Sequence, residues 1–143
     1  MKLSKLNLND FEEFVTLYYD FHKEVYANRK IGAKYFYYKK AISLINDEYD
    51  IVVLKDNDEM IGFTIAKIDK MEGLTETIYS GDIAYVVPSK RKGRGAYMLY
   101  KNVYNYAKEL GLKIVSNGRI ENGVSDMIEK HFDATPRYVI FEG

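Results

Sequence analysis

Residues 82–117 constrain the fold of this chain more than any other stretch. An apolar run ending in Val86-Val87-Pro88 passes into a basic, glycine-punctuated turn, Ser89-Lys90-Arg91-Lys92-Gly93-Arg94-Gly95. Residues 96–110 then place Ala96, Leu99, Tyr100, Val103, Ala107 and Leu110 on one side of a helix, and Gly111 supplies a stop. A short strand follows at 113–116. Strand, turn, helix and strand in succession make a βαβ unit, whose two strands must lie parallel. The turn falls at a helix N-terminus, where unpaired N–H groups and the positive dipole end gather. Gly93 and Gly95 lack Cβ, so an anion can approach the backbone and positive φ is cheap. Lys90, Arg91, Lys92 and Arg94 add charge, either paired with that anion or facing water. These residues predict a seat for a phosphorylated ligand. It is neither a dinucleotide fingerprint, which needs a third glycine, nor an ATPase loop, which needs Gly-Lys-Ser/Thr.

The rest of the composition makes that basic turn a local feature. The 21 basic and 21 acidic residues of the 143-residue chain cancel, so no global charge draws it to nucleic acid. A nucleic-acid module stacking bases on the 14 tyrosines is therefore disfavoured. Cysteine is absent, which removes disulfides, thiolate catalysis and cysteine-bound metals and fits a cytoplasmic protein. No metal site is expected. There is no long apolar run and no signal-peptide core, so no membrane association is expected. Length and 47% hydrophobic content suit one domain over residues 1–143.

Read in order, residues 2–8 alternate as a first strand. Asn9 with Glu12 has the spacing of a capping box, and Phe11, Phe14, Val15, Tyr18, His22 and Val25 follow at helical intervals. His22 on that stripe reads as a packed, hydrogen-bonded residue. A loop at 27–32 precedes a second helix with Tyr38, Ala41, Ile42 and Ile45 on its inner face. Residues 49–55 and 59–69 form a hairpin around Asp56-Asn57-Asp58. The strand over 75–87 is interrupted at Gly81, which predicts a bulge. Beyond residue 117 come a short helix over 121–131, a break at Pro136 and a final strand over 138–141. The order βααβββαβαβ predicts an α/β (α+β) fold: a mixed, mostly antiparallel sheet with helices on both faces and one parallel pair.

In its loop and in this element order, the chain resembles the GNAT N-acetyltransferase superfamily. The loop pattern of that family is Gln/Arg-x-x-Gly-x-Gly/Ala; Gly93 and Gly95 match it, and Lys90 stands where Gln or Arg is usual. The resemblance implies a parallel strand pair that splays, with acetyl-coenzyme A as acyl donor slotted into the gap. Backbone N–H groups at Tyr85, Val86 and Val87 would face pantetheine and polarise the thioester oxygen. Amides from Arg91 to Ala96 would hold the pyrophosphate, with Lys90, Arg91, Lys92 and Arg94 around it, and Asn122 would contact the cofactor. Asp82 stands where a family glutamate often takes the amine proton, acting here through a water; Glu76 is a second carboxylate near it.

The resemblance departs in the last helix. Asn122, Ser125 and Phe132 echo the family frame, but the position of its thiolate-protonating tyrosine holds Met127, Ile128 or Glu129. No tyrosine lies between Tyr106 and Tyr138. His131 and Tyr138 are alternatives, and solvent is the expected proton source. The family loop between the first two helices lines the acceptor site, making Tyr26, Asn28 and Tyr35 substrate-binding candidates. The cluster Tyr35-Phe36-Tyr37-Tyr38 cannot all face one core, so it serves a substrate or a second subunit as a homodimer. The expected activity is direct acetyl transfer from acetyl-coenzyme A to a primary amine of a small molecule or protein. The alternative is a catalytically weak or inactive acyl-coenzyme A binder.

Overall fold

The computed structural model describes residues 1–27, 29–70, 73, 75–117 and 124–136. Five strands, β1 (Lys2–Lys5), β2 (Asp50–Asp56), β3 (Glu59–Lys70), β4 (Thr77–Val86) and β5 (Lys113–Ser116), form one sheet in that spatial order. The first three pairings are antiparallel and β4–β5 is parallel. Helices α1 (Phe11–Val25) and α2 (Lys34–Asn46) cover one face, α3 (Gly95–Glu109) the other, and α4 (Val124–Phe132) packs beside α3. This is the mixed α/β sheet that the element order predicts. The expected final strand over 138–141 lies outside the described residues.

Strand alternation divides the core into two layers. Ile51, Val53, Phe63, Ile65 and Tyr85 point toward Phe14, Val15 and Tyr18 of α1. Leu54, Ile61 and Val86 point the other way, toward Leu99 of α3, and Ala66 and Tyr79 meet Val103 and Ala107. Phe14 and Phe63 are fully buried with ring centroids 5.1 Å apart, edge to face. Turn chemistry works as expected at two places. Asn57 and Asp58 both take positive φ (52° and 65°), as a tight hairpin needs, and Gly111 ends α3 at φ 69° with its N–H on Lys108 O.

Three local expectations change. The first strand stops at Lys5, and Leu8 lies 90% exposed in a short 3-10 turn, Leu8–Asp10. Asn7 caps that turn, its Oδ1 accepting the Asp10 N–H at 3.2 Å, while α1 starts behind Asp10 with no side-chain cap, so the expected Asn9 cap is not formed. On α2 the buried residues are Tyr37 and Ala41, so the inner face is rotated one position from the predicted Tyr38, Ile42 and Ile45, which are exposed. Apolar residues stand on both sides of this helix, so either frame fits the same periodicity.

His22 is packed as expected. Its Nδ1 bonds Tyr18 O at 2.9 Å, and its ring lies 4.7 Å from those of Tyr18 and Tyr37. Burial lowers its pKa from the ordinary 6.5, outweighing the carbonyl partner. The folded state thus favours neutral imidazole, and acidification through about 6.5 protonates the unfolded chain first, removing stability. The melting temperature is expected to drop between pH 7 and 5, and a His22→Gln variant to lose part of that slope. An unchanged slope would remove His22 as a contributor.

Candidate functional site

The site begins where β4 and β5 part. Their register runs from Ile78↔Lys113 to Gly81↔Ser116 and goes no further. Asn117 closes the last step, its N–H on Gly81 O (3.1 Å) and its side-chain Nδ2 on Asp82 O (3.0 Å). Opposite, β4 pairs with β3 through a bulge: Ile83 faces Ile65 and Gly81 faces Ala66, leaving Asp82 as the extra residue. The expected interruption at Gly81 is therefore present, one residue on. After it, β4 continues to Val86 with no strand on its other edge among the described residues.

Backbone direction decides which groups that edge presents. Val87 N–H is spent on Ile61 O at 2.8 Å. Antiparallel alternation then turns the N–H and C=O of Val86 and Ala84 away from β3, toward the open edge. Val86 O already accepts from Arg91 Nε at 2.8 Å, which agrees with that orientation. This corrects the expected set: the Val87 amide is unavailable, Tyr85 faces β3, and the outward donors are Ala84 and Val86. Tyr85 contributes its ring instead, under the Arg91 guanidinium at 5.5 Å.

The loop delivers a bare helix end. α3 starts at Gly95 behind Arg94, and no side chain caps it. The first α3 amide with a backbone acceptor just outside the helix is Met98, on Arg94 O at 3.0 Å. The N–H groups of Gly95, Ala96 and Tyr97 are therefore the open donors of the first turn. Within the loop, Arg91 N and Gly93 N are turned inward onto Pro88 O and Lys90 O, at 3.4 and 3.3 Å. Gly95 owes its place to packing, because a Cβ there would come 2.9 Å from Leu54 Cδ2, whereas one at Gly93 would meet only Lys90 O at 3.6 Å. Neither glycine uses positive φ.

The four loop cations divide evenly. Arg91 is internal: besides Val86 O it holds Glu24 Oε2 at 2.6 Å, tying the loop to α1. Lys90 Nζ lies 3.6 Å from Asp56 Oδ2. Lys92 and Arg94 are exposed and make no ion pair among the described residues, so they are the charges left for an anion.

Between these parts runs a cleft of about 570 Å³, walled by Ala84, Tyr85 and Val86, by Gly93, Arg94 and Ala96, and by Val124, Met127 and His131 of α4. Phe21 and Glu24 close it on the α1 side. Tyr100 lines its floor with the hydroxyl on Asn117 O at 2.7 Å; burial raises its pKa well above the usual phenol value, so it stays a donor. Of the three residues aligned with the missing tyrosine, Met127 faces the cleft, Ile128 is buried and Glu129 is exposed. Asp82 does not line the cleft; its carboxylate accepts from Ser80 Oγ. Glu76 is exposed ahead of β4, and Tyr26 and Tyr35 lie outside the cleft wall. Asn28, Asn122 and Tyr138 fall outside the described residues. Phe21, Tyr97 and Glu24, the pairing partner of Arg91, were not foreseen. Glu24 and Arg91 are 67 residues apart, and nothing in the sequence links them.

No family model and no curated protein matches the sequence. Solved structures match it over nearly its whole length. An aminoglycoside 6'-N-acetyltransferase from Acinetobacter haemolyticus is 17% identical with a TM-score of 0.71, covering 100% of this chain and 98% of its own. A ribosomal-protein-alanine N-acetyltransferase from Brucella melitensis biovar Abortus is 21% identical at 0.73, covering 99% and 98%. An aminoglycoside N-acetyltransferase in complex with CoA is 18% identical at 0.72, covering 99% and 93%. The chain therefore has the fold of the GNAT-type acetyltransferases, as its loop and element order predict.

Proposed function

We propose that the protein is an N-acetyltransferase that moves an acetyl group from acetyl-coenzyme A directly to a primary amine. The observation that carries this reading is the juxtaposition of an unpaired β4 edge with an uncapped α3 N-terminus in one cleft. The first suits an amide-bearing pantetheine arm, the second a pyrophosphate. That acetyltransferases of the same fold are known with CoA bound supports it. Acetyl-coenzyme A supplies the acyl group and a thiol leaving group.

The amides of Gly95, Ala96 and Tyr97 hold the pyrophosphate, with Lys92 and Arg94 adding charge-assisted bonds. Arg91 shapes the loop from within. The outward N–H of Val86 stabilises negative charge on the thioester oxygen as the amine attacks. Asp82, through a water, takes the amine proton. As the C–N bond forms and the C–S bond breaks, solvent returns a proton to sulfur, because Met127 cannot. Thiols ionise near 8.5, so a thiolate leaves without an enzymic acid at a cost in rate of about 10² to 10⁴.

Acetyl-coenzyme A at about a hundred times its dissociation constant is expected to stabilise the protein by roughly 2.7 kcal/mol, seen as a raised melting temperature. Gly93→Asp should abolish that rise and leave the ligand-free melt in place, since the new Cβ makes only an ordinary contact, with Lys90 O at 3.6 Å, but brings a carboxylate to the phosphate seat. Gly95 is the poorer site to test because it packs on Leu54. Equal melts with and without ligand in the parent protein would overturn the assignment.

A further inference from the structure

We propose that Asn117 is a positioning residue for acetyl transfer. Its side chain clamps the Asp82 carbonyl where β4 and β5 part, and so holds the bulge that aims the Asp82 carboxylate. The kinetic part rests on the acetyltransferase reading; the clamp rests on geometry alone. Asn117 is the first residue after β5. Its N–H donates to Gly81 O at 3.1 Å and its Nδ2 to Asp82 O at 3.0 Å, while its carbonyl accepts from Tyr100 Oη at 2.7 Å. One residue thus satisfies two successive carbonyls of β4 and is itself held from α3.

Ordinary parallel pairing does neither. A strand's main-chain donors on one edge come at every second residue, so they reach alternate residues of the neighbour and not two in succession. In a ladder that continued, the Asn117 carbonyl would return to β4, and Tyr100 takes it instead. One step back, Tyr104 Oη and Ser116 Oγ lie 3.0 Å apart, a second tie from α3 to the end of β5. The two tyrosines stand one turn apart on α3 and hold the strand end against it.

The bulge is what needs the clamp. Asp82 has no partner on β3, since Ile65 pairs with Ile83 and Ala66 with Gly81. Such an extra residue is outside the ladder, and its peptide plane sets where its side chain points. Asn117 fixes the carbonyl of that residue and Ser80 holds its carboxylate. Without the clamp the Asp82–Ile83 peptide can turn and take the carboxylate with it. Further along, Arg91 Nε takes Val86 O in the same way, at 2.8 Å. Side chains therefore cap outward carbonyls at both ends of this edge, and the N–H groups of Ala84 and Val86 remain as donors between them.

Asn117 is exposed, and its two main-chain bonds survive a change of side chain, so variants should fold. Asn117→Ala is expected to lower kcat about tenfold to a hundredfold, as misplacing a reacting group does, with the KM for acetyl-coenzyme A within about twofold. Asn117→Gln, which keeps an amide donor, should recover most of the loss. In an Asp82→Asn background Asn117→Ala should cost almost nothing further, because a residue acting through Asp82 then has nothing to position. The clamp is also read without turnover. Amide exchange at Ile83, whose peptide plane carries the Asp82 carbonyl, should quicken about tenfold in Asn117→Ala, the worth of one hydrogen bond, and not in Asn117→Gln. Unchanged kcat in Asn117→Ala, or a loss that adds in full to that of Asp82→Asn, would overturn the positioning role. Equal exchange at Ile83 in the parent and Asn117→Ala would overturn the clamp. A parent that transfers acetyl to no amine would count against the acetyltransferase reading, and the exchange rates then decide the clamp by themselves.

Discussion

Asp82→Asn is expected to lower acetyl transfer about a hundredfold while leaving coenzyme affinity nearly unchanged. The bulge gives the residue its importance. It leaves Asp82 unpaired with β3 at the point where β5 departs, and its backbone carbonyl is held by Asn117. The side chain is fixed by Ser80, and asparagine can still accept that hydroxyl through Oδ1. The substitution thus removes a proton acceptor with little change of shape. Since Asp82 stands back from the cleft wall, the proton must travel through a water, and the effect should be greatest near neutral pH, where the attacking amine is mostly protonated. Steady-state rates with a competent amine, set beside coenzyme titrations, make the comparison. Equal turnover in both proteins at neutral and high pH would exclude Asp82 from the reaction.

Gly62→Ala is expected to destabilise the fold by about 3 kcal/mol, the upper part of the overpacking range. A Cβ at Gly62 would come 2.5 Å from the Tyr85 carbonyl oxygen on the neighbouring strand, with Leu99 and Val86 at 3.3 Å behind it. None of these is a loose surface group. Relief requires β3 and β4 to separate near Val86, whose amide is the proposed oxyanion donor. The melting temperature should fall by on the order of 10 °C, and coenzyme affinity should fall with it. A variant as stable as the parent would mean the two strands are less tightly apposed than the geometry requires.

How far the sequence spoke depended on whether a signal was local. The βαβ unit, the hairpin turn at Asn57-Asp58 and the Gly111 stop were legible because each rests on a few adjacent residues with one physical reading. The rotation of α2 was not, since apolar residues on both sides make two frames equally periodic. In the loop, the glycines and basic residues marked the place but not the division of labour. That division depends on Glu24 and Asp56, which the chain brings back from far away. Gly62 carried no signal at all: its need for a missing Cβ arises only when β4 lies against it. The same holds for the amides of β4. Hydrogen-bond phase, set by the Val87–Ile61 bond, decides between Tyr85, Val86 and Val87, and composition cannot reveal it.

Among the described residues the last part of β4 has a neighbour on one edge only, and that bears on how long the protein survives. The β4–β5 pairing among these residues ends at Gly81 while β4 runs on to Val86 against β3 alone, which leaves one edge of the sheet to be finished by whatever occupies the cleft. Occupancy and resistance to unfolding are then one equilibrium, and the empty molecule is the form that opens and is degraded first. Abundance would follow the supply of the acyl donor even at constant synthesis. A substitution that weakens the seat could therefore present itself as low protein level before it is seen as low activity.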